Sequence, residues 1–151
     1  MELAKQFTAF LENKPGRMSQ ICMALGREKV NIRGLTVMDS KEHSVLRFVT
    51  DDLAKTKSVL ASLGTPFQET DVVVVELDNQ PGSLARVCEK LAREHINIDY
   101  AYCSAGPRNG RTIGIFKVSN IIRAQQALSN GGNLPSRQRT KPGRLPTFAR
   151  R

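Results

Sequence analysis

The chain has 151 residues, 40% of them hydrophobic and 25% charged, with a formal net charge of +9, an ordinary globular composition that suits one average domain or two small ones. No apolar run approaches the roughly 18 residues of a membrane span, and the opening Met1–Gln6 carries an early acid and no apolar stretch of the secretory kind. The charge excess reads as a nucleic-acid signal only until it is located. Arg137, Arg139, Lys141, Arg144, Arg150 and Arg151 lie between Ser129 and Arg151 with no acid among them, which leaves a small excess on Met1–Leu128. Residues 129–151, rich in Pro, Gly and Ser, are predicted to form a disordered basic tail. Cys22, Cys88 and Cys103 are odd in number and widely spread, which argues against a disulfide framework and for a cytoplasmic location.

In chain order, Phe7–Leu11 is a short β-prone apolar run and is predicted to be a buried strand. Asn13-Lys14-Pro15-Gly16 punctuates it, Pro fixing φ and Gly freeing the backbone. Met18, Ile21, Cys22 and Leu25 then recur at helical spacing, with Arg17, Gln20, Arg27 and Glu28 covering much of the opposite face. Strands are predicted over Asn31–Met38 and His43–Thr50, separated by a polar turn at Asp39–Glu42. Leu53, Lys57, Leu60 and Leu63 mark a second helix, begun by the capping carboxylates Asp51 and Asp52. Pro66–Asp71 leads into Val72 as a candidate fourth strand. The order then restarts: strand Val72–Leu77, turn Asn79-Gln80-Pro81-Gly82, helix with Leu84, Val87, Cys88 and Leu91, strands Asn97–Ser104 and Arg111–Ser119 around a polar turn at Ala105–Gly110, and helix Ile121–Leu128.

One constant offset, the one that carries Pro15 onto Pro81, also carries Cys22 onto Cys88, Leu25 onto Leu91, Arg27-Glu28 onto Arg93-Glu94 and Asn31-Ile32 onto Asn97-Ile98. Such a repeat fixes the architecture. The fold class is α+β, with two ferredoxin-like βαββαβ units side by side over residues 1–71 and 72–128. The second lacks a clear last strand, because Leu134, Leu145 and Phe148 stand isolated among Pro, Gly and Arg. An uncapped second sheet would leave backbone groups free to pair with a partner, so a homodimer is expected.

A strand, Asn-x-Pro-Gly, an amphipathic helix and then Val30-Asn31-Ile32 or Ile96-Asn97-Ile98 together resemble the ACT domain, twice over, across about residues 5–128. The closest likeness is to small stand-alone tandem ACT proteins that bind amino acids. Regulatory subunits of amino-acid biosynthetic enzymes such as acetohydroxyacid synthase are similar too, and would add a metabolic enzyme partner. The resemblance implies a free amino acid bound against the turns and the strand starts. The implied contacts are Asn13, Lys14, Pro15, Gly16, Arg17, Met18, Asn31 and Ile32 in the first copy, and Asn79, Gln80, Pro81, Gly82, Ser83, Leu84, Asn97 and Ile98 in the second. Serine-sensing members place a histidine two residues before the turn asparagine; Leu11 and Leu77 stand there.

The residues make chemical sense as a site. A helix opening at Gly16 or Gly82 offers unpaired N–H groups to a carboxylate, and an Asn amide can both donate to a carboxylate and accept from an ammonium. Against that, Pro-Gly can be only a turn and Asn only a cap. Catalytic residues, cofactors and metals are not expected: His43 and His95 have no Cys or carboxylate at metal-ligand spacing. Cys22 and Cys88 sit on helical apolar stripes, while alternation leaves the face of Cys103 open. Gly64 and Gly131-Gly132 lack a following Lys-Ser/Thr for a phosphate loop. Tyr100 and Tyr102 share a strand face and could stack on a ligand or pack against a sheet. Base stacking on the sheet is disfavoured because the third strands offer only Phe48 and Phe116; the tail alone could bind phosphates.

Overall fold

The computed structural model describes residues 1–39, 43–104 and 110–129. In order they form β1 (Glu2–Glu12), α1 (Arg17–Arg27), β2 (Ile32–Asp39), β3 (His43–Thr50), α2 (Leu53–Ser62), β4 (Phe67–Asp78), α3 (Ser83–Arg93), β5 (Ile98–Ser104), β6 (Arg111–Val118) and α4 (Ile121–Ser129). The expected turns at 39–42 and 105–110 and the tail 129–151 fall largely outside the described residues. The strands make a single antiparallel sheet in the order β2-β3-β1-β4-β6-β5.

The missing last strand has a structural answer. β4 is one continuous strand of 12 residues. Its first part, Phe67–Val74, pairs with β1, while Val73–Asp78 pairs with β6. The candidate fourth strand of the first copy and the first strand of the second are therefore the same strand, and the boundary expected between Asp71 and Val72 lies inside it. β1 is equally shared. Its end at Phe7–Glu12 pairs with β3, and its start, Glu2–Ala4, lies opposite Val72–Val74, where a fourth strand of the second copy would sit. The expectation that β4 would expose an unpaired edge fails for this reason: both its sides are occupied, and the sheet's outer strands are β2 and β5.

The two halves meet about a local two-fold axis. The offset that superposes the turns carries Lys5 onto Asp71, and these two residues face each other directly in the β1–β4 ladder. They form an ion pair of 2.7 Å.

Alternation decides which face each side chain joins. Phe7, Ala9 and Leu11 of β1 pack with Ile21 and Leu25 of α1 and Val59 and Leu60 of α2. Phe7 stacks on Phe48 with ring centres 5.6 Å apart. Val73 and Leu77 of β4 pack with Val87 and Leu91 of α3 and Ala124 of α4. Phe67, on the same face of β4 as Val73, joins the first core. All four helices thus cover one face of the sheet. Met18 and Leu84, expected on the buried helix stripes, are instead 37% and 45% exposed. They occupy the first helical turns, and the centre of each stripe falls to Ile21 and Leu25 or Val87 and Leu91.

Among the described residues no helix covers the other face, yet Val49, Val72, Val74 and Ile115 on it are fully buried. They are sealed because the sheet rolls until its outer strands, β2 and β5, come back into contact. Gly34 of β2 makes the approach possible: a Cβ there would stand 2.7 Å from the Cδ1 of Ile115 and 3.8 Å from the Tyr102 ring. Inside the roll the Gln6 amide, wholly buried, is saturated by polar partners. Its Nε2 donates to Tyr100 Oη at 2.8 Å and Thr8 Oγ1 at 3.2 Å, and its Oε1 accepts from Tyr102 Oη at 2.9 Å. A buried amide without such partners would cost free energy; here it ties β1 to β5. The shared strand face of Tyr100 and Tyr102 is thus the inner one, and its hydroxyls meet protein.

Candidate functional site

Each Asn-x-Pro-Gly turn bends the chain from a sheet strand into a helix, and both do so with the same backbone. Gly16 and Gly82 hold φ of 88° and 86° at the N-cap positions of α1 and α3, a left-handed conformation that strains any residue with a Cβ. No side chain caps either helix, and neither first turn carries an acid. The amides of Arg17 and Ser83 turn back to the Lys14 and Gln80 carbonyls, and beyond them the helix N-termini keep their partial positive charge. By contrast, α2 is capped by Asp52, whose Oδ1 accepts from the Lys55 amide at 3.0 Å, as its sequence leads one to expect.

The surroundings of the two turns differ. At the first, the Glu12 carboxylate accepts hydrogen bonds from Lys14 at 2.9 Å and Arg17 at 3.1 Å. The bond from Lys14, then that from Arg17, holds its pKa below the usual carboxylate range. Glu12 and Arg17 border a cleft of about 260 Å³ that also takes in Phe10, Gln20 and the Leu63–Pro66 link into β4. At the second turn the matching positions are Asp78, Gln80 and Ser83. Arg86 reaches back to Ser83 Oγ at 2.9 Å, and an open cleft of about 370 Å³ is framed by Asp78, Asn79, Gln80, Gly110 and Arg111. The Asn79 amide donates to the Gly110 carbonyl at 3.1 Å. Each turn thus combines a carboxylate, cations and helix amides, a set that can complement both ends of a zwitterion. The sequence pattern pointed to Asn13–Met18 and Asn79–Leu84. It left out Glu12, Asp78, Gln20 and Arg86, although the acids directly precede the turns and are present in both copies.

The strand-start asparagines sit elsewhere. β2 runs parallel to β1 because both are antiparallel to β3, so Asn31 lies at the opposite end of the sheet from Asn13. The same holds for Asn97 and Asn79. Because β1 and β4 are antiparallel, the two turns also lie at opposite ends and cannot share a cleft. The first turn shares its end with Asn97, and the second shares its end with Asn31. Both asparagines clamp their strands by backbone bonds: Asn31 N donates to Asp51 Oδ1 at 2.9 Å and Asn97 N to Ser119 Oγ at 3.1 Å. Asp51 N and Ser119 N return bonds to the asparagine carbonyls. The Asn97 side chain is already engaged, donating to Asp99 Oδ1 at 3.0 Å. Ile32 and Ile98 are half-buried against the two helix-side cores.

Among the described residues no group of His, Cys, Asp and Glu is placed to hold a metal ion, and no helix is long and apolar enough to cross a membrane. Cys22 and Cys88 are half-buried and Cys103 is exposed.

The fold is thus a duplicated ferredoxin-like unit whose matching turns leave both helix N-termini without a side-chain cap. The family model of the ACT domain pair matches residues 2–131, and the chain belongs to that family. Among solved structures, the Bacteroides thetaiotaomicron protein BT0572 is 31% identical, with a TM-score of 0.77 over 84% of this chain and 87% of its own. The ligand-free regulatory subunit of aspartate kinase from Thermus thermophilus shares the fold at 13% identity, with a TM-score of 0.61 over 85% of this chain and 91% of that one. Aspartokinase alpha and beta subunits share it at 18% identity and a TM-score of 0.53, over 85% and 95% of the two chains. No curated protein matches the chain.

Proposed function

We propose that this chain is a regulatory protein that senses a free amino acid at its two turns. The observation that carries the reading is the pair of uncapped helix N-termini behind left-handed Gly16 and Gly82, each with a carboxylate one residue before its turn asparagine. The effector's carboxylate sits on the amides at the start of α1 or α3, and its ammonium faces Glu12 or Asp78. Asn13, Lys14, Pro15, Arg17 and Met18 surround the first site; Asn79, Gln80, Pro81, Ser83 and Leu84 surround the second. Asn97 and Asn31 belong to the opposite halves' sites, because they share those ends of the sheet. Binding shifts an equilibrium only by favouring one arrangement of the halves over another.

The test is a thermal-shift screen of the purified chain against the twenty amino acids. A ligand at a hundredfold its Kd adds about 2.7 kcal/mol, a rise of the order of 5–10 °C for a chain of this size. Gly16→Asp and Gly82→Asp place a negative charge where the carboxylate binds. Nothing lies within 4 Å of a Cβ at Gly16, so the cost there is backbone strain alone. A folded protein that no amino acid shifts at millimolar concentration would sink the sensor reading.

The sharing of fold with regulatory subunits of aspartate kinase favours a second reading, in which the chain serves a separate catalytic partner. Co-purification of a metabolic enzyme with the tagged chain separates the two. A cytoplasmic homodimer completes the proposal. With β4 paired on both sides, its support is the exposed Leu35, Val37 and Met38 on outer strand β2, and sedimentation equilibrium checks it.

A further inference from the structure

The inner face of the rolled sheet breaks the symmetry that the rest of the chain keeps. Phe48 lies opposite Phe7 in one half and Phe116 opposite Val73 in the other. This makes Arg47 the counterpart of Ile115, and Val49 that of Lys117. The turn offset likewise matches Thr8 to Val74 and Gly34 to Tyr100. One end of the interior is closed by Val49, Val74 and Ile115, all fully buried. The same positions at the other end hold Lys117, Thr8 and Arg47.

Among the described residues these cations lack counter-ions. Arg47 lies 4.2 Å from the centre of the Tyr100 ring. Among the described residues its Nε is buried with no hydrogen-bond partner, and its Nη1 donates to the sulfur of Met38, a weak acceptor. Lys117, on the inner face by alternation with Ile115, donates to the Val118 carbonyl at 3.3 Å. Among the described residues neither joins an ion pair. A half-buried cation with no counter-ion among the described residues is destabilising, and Ile115 shows that the same fold accepts an apolar side chain at that place. The nearby polar groups do not neutralise it, since the Gln6 amide is saturated by Tyr100, Tyr102 and Thr8.

We propose that this end of the roll is a second binding site, for a small organic carboxylate. Arg47 grips the carboxylate in a forked pair of bonds, and Lys117 adds charge. Thr8 and Thr36, directly opposite Arg47 on its two neighbouring strands, supply hydroxyls. The next row outward, Phe10 and Met38 flanking Val45, contacts the ligand's alkyl part and disfavours a bare phosphate. The site is on the opposite face of the sheet from the helix N-termini and stands or falls separately from the turn sites.

The chain has no tryptophan and two tyrosines, Tyr100 and Tyr102, both in this cluster, so tyrosine fluorescence reads the site without background. The full chain is titrated with sodium butyrate and with sodium phosphate, against sodium chloride at matched ionic strength. Butyrate gives a saturable change that is roughly tenfold or more weaker in Arg47→Met, the loss of one charged hydrogen-bonded contact. Thr36→Glu sets a carboxylate opposite Arg47; it abolishes the butyrate response and raises the thermal midpoint, and it decides the matter should Arg47→Met fail to fold. Saturation by phosphate alone overturns the carboxylate assignment. No saturable change with butyrate, or a response undiminished in Thr36→Glu, overturns the site.

Discussion

Replacing Gly34 with alanine adds one methyl where β2 passes over the inside of the sheet. In a strand interior this change ordinarily stabilises by about 0.5–1 kcal/mol, because alanine has less backbone freedom to lose. Here the new Cβ would meet Ile115 Cδ1 at 2.7 Å, and Ile115 is wholly buried. Overpacking of this kind costs about 1–3 kcal/mol. Since the clash is with a terminal methyl that can swing, the expected loss lies toward the lower end of that range. Ile115→Val removes the clashing atom and alone costs about 0.5–1.5 kcal/mol. In the double variant the alanine methyl fills the space that Cδ1 vacates, so the two changes together cost less than their sum by about 1 kcal/mol. Urea unfolding followed by far-ultraviolet circular dichroism measures all four corners of the cycle, with unchanged slopes confirming that only stability has moved. A stabilising Gly34→Ala, or costs that add within about 0.5 kcal/mol, would show that β2 does not close against Ile115 and that the sheet is not rolled.

Gln6→Leu leaves the Tyr100 and Tyr102 hydroxyls without their buried partner, at an expected cost of about 1–3 kcal/mol; adding Tyr102→Phe recovers part of it, and equal stability of the two variants in urea would contradict the network. Burial, foremost, raises the Tyr102 hydroxyl above the ordinary tyrosine range. Its share of stability is present below the unfolded tyrosine pKa and lost as pH climbs through the raised one, so alkaline unfolding monitored by tyrosine absorbance shifts in Tyr102→Phe. His95 holds φ of 53° just after α3, as Lys29 does at 57° after α1. His95→Gly therefore gains about 1 kcal/mol by relieving a left-handed conformation, read as a higher thermal midpoint; a loss would mean that the imidazole makes compensating contacts.

The local elements were legible because they are written in short-range patterns. Helical spacing marked α1 and α3, and Asn-x-Pro-Gly marked both turns. What escaped was the long-range pairing. Glu2-Leu3-Ala4-Lys5-Gln6 has no clean alternation of apolar and polar residues, so the strand was expected only from Phe7, although Glu2–Ala4 flanks the second half's β4. The residues after Ser129 carry no strand pattern because the neighbour of the second half's β4 comes from β1, at the other end of the sequence. Tyr100 and Tyr102 declared a common face by their spacing, but nothing local named Gln6, some ninety residues away, as their partner. Gly34 likewise reads as a weak point in a strand until β6 is brought over it. For the candidate site, the turn residues were visible, but their grouping by sheet end depends on strand direction, which a repeat alone does not reveal.

The sharing of β1 and β4 gives the duplication a mechanical consequence. β1 ends at the turn Asn13–Gly16, and its other end is hydrogen-bonded alongside the second half; β4 does the reverse, ending at Asn79–Gly82. The two-fold axis passes between Lys5 and Asp71, at the middle of this pair. A displacement of either turn along its strand axis therefore acts on the flank of the other half through a continuous ladder of backbone hydrogen bonds rather than across a linker. Independent domains joined by a tether would need a separate contact to pass such a signal. In this arrangement the strand that carries a turn also pairs with the other half's central strand, so the two turns at opposite ends are joined through backbone hydrogen bonds. A ligand need only prefer one register of that central pair for its effect to reach both halves.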